Sequence, residues 1–273
     1  MAGPIFFRML HVEFAQFTDP GRTRSDNEDF LGSFIPSTTE QARSHGWLFA
    51  VADGVGGHDA GEVASRLAVE SLVDGFGKAP AGELLSSLMR RLVQTANEAI
   101  YSASHDGATR LNMATTLVAC GLRHDRAVVA HVGDSRCYLI RGREASAVTR
   151  DHTVVNDQVR LGVMSSFEAA EAPTRHLLSR SLGSDLFVNV DIGDHAVNPG
   201  DVLLLCSDGL HGSVKVDDMT AALQGDVDLD DAARRLGALA NERDGGDNIS
   251  VQLIRVRAIE RMGMYRGRPY KLR

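Results

Sequence analysis

Short apolar strands that end beside an acidic residue are the feature that most limits how this chain can fold. Residues 47–52 form a compact apolar run that leads directly into Asp53. A second apolar run ends two positions before Asp208, and Asp247 stands two positions before a run of near-regular alternation. Because neighbouring strands end at a common edge of a sheet, we expect these carboxylates to lie close together.

Three more acidic residues occupy similar positions. Asp134 follows the strand predicted over residues 127–132, while Glu28 and Asp29 stand just before the strand predicted to begin at Phe30. Acidic residues therefore flank most of the predicted strands, which favours one shared acidic site over isolated surface charges.

The alternative interpretation of an Asp-Gly pair is a β-hairpin turn, since this pair is favoured in such turns. We interpret Asp106 and Asp244 as turn residues. Asp53 and Asp208 differ because each closely follows an apolar run with the length of a buried strand. We assign these two residues to the acidic site.

The order of the predicted elements indicates an α+β fold. Strands come first, two amphipathic helices follow near residues 64–76 and 85–100, and further strands and helices precede a final strand at 249–256. This order is typical of mainly antiparallel sheets rather than of repeated βαβ units. No apolar run approaches the roughly 20 residues that a membrane-spanning helix requires, so we expect no membrane insertion.

The net charge and the cysteine content indicate which classes of partner and which cellular compartment suit this chain. The formal net charge of −7 disfavours broad contacts with nucleic-acid phosphates. Residues 255–273 contain seven basic side chains and one acidic one, and we interpret residues 259–273 as a basic C-terminal tail or linker. Three cysteines without a Cys-x-x-Cys pair predict buried free thiols in a reducing, cytoplasmic compartment.

The charge of the acidic site indicates what it holds. Two like charges about 4 Å apart repel by about 4 kcal/mol at an effective dielectric of about 20, so converging carboxylates require cations or raised pKa values. Four of them, on Glu28, Asp53, Asp208 and Asp247, would be neutralised by two divalent ions. Oxygen ligands favour Mg²⁺ or Mn²⁺, and such a pair suits hydrolysis of a phosphate ester. Arg24 is a candidate to bind the phosphate through its guanidinium.

Five short segments contain these residues. They are residues 21–29 (Gly-Arg-Thr-Arg-Ser-Asp-Asn-Glu-Asp), 53–58 (Asp-Gly-Val-Gly-Gly-His), 133–136 (Gly-Asp-Ser-Arg), 207–209 (Ser-Asp-Gly) and 246–248 (Gly-Asp-Asn). Together and in this order they resemble the motifs of metal-dependent protein Ser/Thr phosphatases of type 2C, especially the bacterial members. One site drawn from both ends of the chain implies a single catalytic domain over residues 1–258.

The resemblance implies a four-layer αββα fold, in which two mainly antiparallel sheets form a sandwich with helices on both sides. It also implies two bound divalent cations, Mn²⁺ or Mg²⁺, with Asp53 bridging them. Asp208 and Asp247 would complete one metal site. Glu28 and the Gly54 carbonyl would complete the other.

Other motif residues have implied roles as well. By the resemblance, Arg24 holds the substrate phosphate, Asp29 orients water, and Asp134 matches a position linked to a third, weaker cation. A flexible flap over about residues 145–187 can supply a further ligand to that cation. His176 lies near the expected place in the flap, and we interpret it as structural.

The implied activity is hydrolysis of phosphoserine and phosphothreonine in proteins by direct attack of a metal-bridging hydroxide, without a phosphoenzyme. Some family members have a histidine as general acid directly after the first Asp-Gly. Val55 stands there in this chain, so we expect water to protonate the leaving group. The implied partners are phosphorylated proteins, among them a Ser/Thr kinase or its substrates, and we expect a monomer.

Three alternatives have to be weighed. A nucleotide-binding protein is disfavoured because residues 54–59 lack the third glycine of the dinucleotide fingerprint and residues 75–78 lack the first glycine and the hydroxyl residue of a P-loop. A non-catalytic binding module with a phosphatase fold is expected to lose metal carboxylates, and this chain keeps all four. A phosphatase of small phosphoesters stays open.

Overall fold

Two antiparallel β-sheets flanked by helices make up the computed structural model, which describes residues 5–55, 60–105, 113–265 and 268–272. The strands are β1 (Ile5–Asp19), β2 (Asp29–Phe34), β3 (Trp47–Val55), β4 (Ala114–Thr115), β5 (Leu117–Arg123), β6 (Arg126–Val132), β7 (Arg136–Arg141), β8 (Glu144–Ala147), β9 (Asp191–Ala196), β10 (Val202–Cys206), β11 (Ile249–Tyr265) and β12 (Arg268–Lys271). The helices are α1 (Thr39–Ser44), α2 (Gly61–Gly77), α3 (Leu85–His105), α4 (Val154–Arg160), α5 (Ser166–Glu171), α6 (Asp208–His211), α7 (Val216–Ala222) and α8 (Leu229–Arg243).

The strand order brings the two ends of the chain together. The first sheet has the order β1-β11-β10-β7-β8, with β12 paired to β11, and the second has the order β2-β3-β5-β6-β9, with β4 beside β3. Strands β1 and β11 are adjacent and antiparallel, and Asp19 at the end of β1 pairs with Ile249 at the start of β11. The loop after β1 therefore lies beside the loop before β11.

Apolar side chains from both sheets form the central layer of the sandwich. Phe49 and Val118 of the second sheet share one buried cluster with Leu203 and Ile254 of the first sheet. Helices α2 and α3 cover the outer face of the second sheet, and α8 covers the outer face of the first. The predicted αββα sandwich is confirmed.

Strand β3 is an unbroken apolar run because both of its faces are covered. Leu48 and Ala50 belong to the cluster beneath α2 and α3, whereas Phe49 and Val51 belong to the cluster between the sheets. The apolar run ends at Asp53, where strand β3 reaches the edge of the sandwich.

Most of the segment interpreted as a basic C-terminal tail or linker, residues 259–273, lies in β-strands. Strand β11 continues past residue 258 to Tyr265 and pairs with β1 along its length, and β12 pairs with β11. Ile259 and Met262 pack against the core between the sheets, which explains why the strand continues. Lys271 forms an ion pair with Glu260 at 2.6 Å, so part of the basic charge faces an acid within this strand pair.

The three cysteines are free and buried, as predicted. Burial raises the pKa of the Cys120 thiol to about 12 and that of the Cys206 thiol to about 12, so both stay protonated and unreactive at neutral pH. Among the described residues, no helix combines the length and apolar character needed to cross a bilayer.

Candidate metal and phosphate site

Strands β2 and β3 bring three of the predicted acidic residues together. Asp29 pairs directly with Asp53 in the antiparallel register. The Gly54 N–H donates to the Glu28 carbonyl at 3.1 Å. These contacts place all three carboxyl groups at the same edge of the second sheet.

The junction between β4 and β5 fixes the backbone of Asp53. The Asp53 N–H donates to Thr116 Oγ1 at 3.1 Å, and Thr115 Oγ1 donates to the Asp53 carbonyl at 2.7 Å. The Thr116 hydroxyl also bonds to Ser135 Oγ at 2.7 Å. Because Ser135 directly follows Asp134, this contact brings Asp134 to the same end of the sandwich.

Ser207, at the end of β10, connects the first sheet to Asp29. The Ser207 hydroxyl donates to Asp29 Oδ2 at 2.7 Å and accepts the Ser250 N–H at 3.0 Å. The other carboxylate oxygen, Asp29 Oδ1, is buried and has no hydrogen-bond partner in the described part of the chain. Asp208 follows Ser207, so the end of β10 also carries an acid to this edge.

Two glycines allow α2 to begin against the acidic site. A Cβ on Gly54 would lie 2.4 Å from backbone atoms of Gly61, the first residue of α2. A Cβ on Gly61 would lie 2.9 Å from the carboxyl group of Glu28. The Glu28 carboxyl therefore lies at the positive end of α2. Burial nevertheless raises the pKa of Glu28, and the charge of Arg24 opposes this rise.

Burial and mutual repulsion raise the pKa of the clustered aspartates. The pKa of Asp53 lies well above its usual value because the group is buried, and because Asp29 and Asp208 are charged neighbours. Burial raises the pKa of Asp29 to about 7 and that of Asp134 to about 7. Burial and the charge of Asp247 raise the pKa of Asp208. Five predicted acids thus influence one another, as a single cluster requires.

These pKa shifts predict how the metal-free protein responds to pH. An Asp with a raised pKa keeps its proton in the folded state at pH values where the unfolded chain releases it, so stability falls as pH rises between about pH 4 and pH 7. In EDTA, we expect a lower Tm at about pH 8 than at about pH 5. Differential scanning fluorimetry measures this, and a Tm that rises steadily with pH would contradict the electrostatic account.

Arg24 reaches the cluster from the loop after β1. Its guanidinium forms a bidentate ion pair with Asp247, with Nε 3.0 Å from Oδ1 and Nη2 3.1 Å from Oδ2. The Arg24 side chain is 49% exposed, so it is accessible to solvent and to a substrate. The predicted phosphate-binding residue and a predicted metal ligand are thus direct neighbours.

Two histidines outside the predicted ligand set lie at the cluster. His176, which the sequence analysis interprets as structural, has an exposed side chain with Nδ1 4.0 Å from Asp208 Oδ2. His211 Nε2 bonds to the Asp134 carbonyl at 3.0 Å, and burial lowers the pKa of His211 to about 4. Both histidines line a cavity of about 350 Å³ together with Asp134. The expected position of the flap marked the neighbourhood of His176, whereas no spacing in the sequence marked His211.

A second group of potential metal ligands lies outside the acidic cluster. In the described residues, the one group of three whose ligand atoms all lie within 4.8 Å is His131, His152 and Asp191. The imidazole rings stack with centroids 4.7 Å apart and planes 16° apart, so their in-plane lone pairs run nearly parallel and do not converge on one ion. Arg180 Nη1 lies 2.9 Å from Asp191 Oδ1 and supplies the positive charge there. We interpret this group as a structural polar cluster.

The second motif is described only in part. Asp53, Gly54 and Val55 belong to β3, whereas Gly56, Gly57 and His58 lie outside the described residues.

A family model described as protein phosphatase 2C matches residues 27–241, which is most of the chain and includes Glu28, Asp53, Asp134 and Asp208. The chain belongs to the protein phosphatase 2C family. The resemblance predicted from five short segments is therefore confirmed. Asp247 follows a few residues beyond the matched stretch, in the loop that Arg24 contacts.

Bacterial serine/threonine phosphatases are among the relatives of this phosphatase 2C chain. A serine/threonine phosphatase stp from Listeria monocytogenes is 36% identical over 248 residues, covering 90% of this chain and 95% of its own length. The crystal structure of the Mycobacterium tuberculosis serine/threonine phosphatase PstP/Ppp has a TM-score of 0.80 and 32% identity, covering 90% of this chain and 99% of that one. A PstP catalytic domain in complex with two manganese ions has a TM-score of 0.76 and 32% identity, covering 92% and 99%.

The residues of this phosphatase fit a pair of divalent cations. The donors at the cluster are carboxylate and carbonyl oxygens, which hard cations prefer. The orphaned Asp29 Oδ1 and the raised pKa values of Asp53 and Asp208 indicate uncompensated negative charge. In the described part of the chain, the predicted ligand that forms an ion pair with an arginine is Asp247, with Arg24, and His176 lies 4.0 Å from Asp208.

Proposed function

We propose that the acidic cluster is the reaction centre of this phosphatase and that each ligand has the role expected from its motif. Asp53 would bridge two divalent cations. Asp208 and Asp247 would complete one site. Glu28 and the Gly54 carbonyl would complete the other. The convergence of these residues from both ends of the chain, with their coupled pKa shifts, is the observation that carries the proposal.

The chain is a protein serine/threonine phosphatase, and Mn²⁺ or Mg²⁺ ions are its cofactors. When bound, two such cations stabilise negative charge on a phosphate ester and make water a stronger nucleophile. Arg24 would bind two phosphate oxygens through its planar guanidinium and orient the ester. Asp29, with a pKa of about 7, would hold or accept a proton at Oδ1, the carboxylate oxygen that Ser207 leaves without a partner.

Asp134 would contribute to a third and weaker cation site. It lies beside the cavity that His176 and His211 line, and its pKa of about 7 reflects burial near the charge of Asp208. The third site would then lie on the flap side of the cluster. The flap over about residues 145–187 contains α4 and α5 and lines the same cavity.

Phosphorylated proteins are the substrates of this phosphatase, and a bacterial Ser/Thr kinase or the proteins it phosphorylates would be among them. The chain would act as a monomer with a single catalytic domain. Buried, protonated thiols fit the reducing conditions of a cytoplasm. A non-catalytic binding module is not favoured, since every predicted metal carboxylate is present at the cluster.

Phosphate release from phosphoserine and phosphothreonine peptides, compared with p-nitrophenyl phosphate, tests the proposal. We expect hydrolysis of the peptides with Mn²⁺, loss of activity in EDTA, and loss in Asp208→Asn. Activity that does not depend on the metal, or that is unchanged in Asp208→Asn, would reject the assigned reaction centre. Hydrolysis of p-nitrophenyl phosphate alone would support the small-phosphoester alternative instead.

A further inference from the structure

Asn248 connects the two chain segments that carry the metal-binding and phosphate-binding groups. Asn248 is 5% exposed, and its side-chain amide makes three hydrogen bonds to backbone groups that are distant in the sequence. Asn248 Oδ1 accepts the Glu28 N–H at 2.8 Å. Asn248 Nδ2 donates to the Pro20 carbonyl at 3.0 Å and to the Asp26 carbonyl at 2.9 Å.

These bonds enclose the loop that carries the proposed phosphate ligand. Pro20 and Asp26 lie on either side of Arg24, and Glu28 is itself a proposed metal ligand. Asn248 is covalently joined to Asp247, whose carboxylate contacts the Arg24 guanidinium. One amide therefore sets where the phosphate-binding loop lies relative to ligands from both segments.

Further contacts join the same pair of loops. The Arg22 N–H donates to the Gly245 carbonyl at 2.8 Å, and Thr23 Oγ1 donates to the Gly246 carbonyl at 2.8 Å. A Cβ on Gly21 would lie 2.3 Å from the Asp247 carbonyl oxygen, so the two backbones touch there. The loops are packed without space for a larger residue, and Asn248 lies at the buried end of this contact.

The chemistry at this position requires an amide of this length. A carboxamide supplies an acceptor and two N–H donors, and all three are used. Aspartate has nearly the same shape but would bring a negatively charged oxygen to two carbonyl oxygens. Alanine would leave one N–H and two carbonyls without the partner that they have in the folded chain.

We propose that Asn248 is a positioning residue that holds the Arg24 loop and Glu28 in register with Asp247. The inference rests on the proposed function, because it assumes that these three side chains bind phosphate and metal. Displacement of catalytic groups by about 1 Å can cost about 100-fold in rate, so loss of this amide should affect catalysis well beyond its effect on folding.

Asn97 provides a matched control. It is fully buried, its Oδ1 accepts the Gly183 N–H at 2.8 Å, and its Nδ2 donates to the carbonyls of Asp185 at 2.9 Å and Leu186 at 3.0 Å. The hydrogen-bonding pattern is the same as that of Asn248. These partners lie at the C-terminal end of the flap, and none of them is a proposed ligand. Asn97→Ala should therefore carry the folding cost without the effect on ligand placement.

The experiment compares Asn248→Ala, Asn97→Ala and the unaltered protein by Tm, by kcat and KM for p-nitrophenyl phosphate, and by Mn²⁺ dissociation constants from electron paramagnetic resonance. We expect both variants to lower the Tm. Only Asn248→Ala should lower kcat/KM, by about 10–100-fold, and weaken both Mn²⁺ binding and inhibition by inorganic phosphate. Equal losses in the two variants, or unchanged Mn²⁺ and phosphate binding in Asn248→Ala, would overturn the positioning role.

Thr23→Val keeps the proposal testable if Asn248→Ala fails to fold. This substitution removes an exposed hydrogen bond between the same two loops, so it should fold and should weaken phosphate inhibition several-fold. Unchanged phosphate inhibition in Thr23→Val would count against the inference in that case. An unaltered protein with no Mn²⁺-dependent hydrolysis would instead reject the proposed function, which keeps the two failures distinct.

Discussion

Replacement of Asp53 by Asn is expected to reduce kcat/KM by about 1,000-fold or more while raising the Tm of the metal-free protein. Asp53 would bridge both cations, so its loss should affect both sites. In EDTA at about pH 8, burial and the charges of Asp29 and Asp208 disfavour the ionised Asp53 carboxylate, so replacement by a neutral amide removes a cost that destabilises the folded state. Each kcal/mol of repulsion removed should raise the Tm by about 2–4 °C in a protein of this size.

Enzyme assays with Mn²⁺ and thermal melts in EDTA measure the two effects in one preparation. Asp74→Asn is the control, because Asp74 is an exposed residue of α2 that pairs with Lys78. It should change neither activity nor Tm appreciably, since exposed pairs contribute about 0–1 kcal/mol. An Asp53→Asn protein that stays active, or that melts at a lower temperature than the unaltered protein in EDTA, would contradict the account.

Replacement of Arg24 by Ala is expected to lower kcat/KM by about 100–1,000-fold and to weaken inhibition by inorganic phosphate to a similar degree. Two nitrogens of the planar guanidinium, Nε and Nη2, already bind the two oxygens of the Asp247 carboxylate. The same planar geometry suits two oxygens of a phosphate. Arg24→Lys should recover only part of the activity, because an ammonium group cannot bind two oxygens in this way. Michaelis–Menten kinetics with phosphate as a competitive inhibitor measure both effects.

Arg22→Ala is the matched control for the phosphate ligand. Arg22 lies in the same loop, and its side chain has no hydrogen bond or ion pair with the described residues, so its loss should leave phosphate inhibition unchanged. If Arg24→Ala kept its affinity for inorganic phosphate, or if Arg22→Ala lost it equally, the assignment of Arg24 would be wrong.

The acidic cluster could be predicted from the sequence because strands impose a simple geometry. An apolar run covered on both faces must end where the sheet ends, and Asp53 and Asp208 stand at or near such ends. The direct pairing of Asp29 with Asp53 follows from the same rule, once β2 and β3 are neighbours. The apolar pattern of each strand and the position of each acid at a strand end were together sufficient to predict that these residues lie close together.

Other features depend on long-range contacts that no local pattern contains. The partners of Asn248 lie at the opposite end of the chain, and His176 lies beside Asp208 although the two residues are far apart in the sequence. The pairing of residues 259–265 was also missed. Their basic charge indicated a tail, and Ile259 and Met262, which pack against the core, are three positions apart and do not show the alternation of a strand. The pairing with β1 depends on residues at the other end of the chain.

The position of Mn²⁺ in crystals grown with the ion tests the central claim most directly. Anomalous scattering should reveal two ions among Asp53, Asp208, Asp247, Glu28 and the Gly54 carbonyl, with Arg24 beside them. Ions found at His131, His152 and Asp191 instead, or an acidic cluster that holds no ion at saturating Mn²⁺, would contradict the proposal that these carboxylates form the reaction centre.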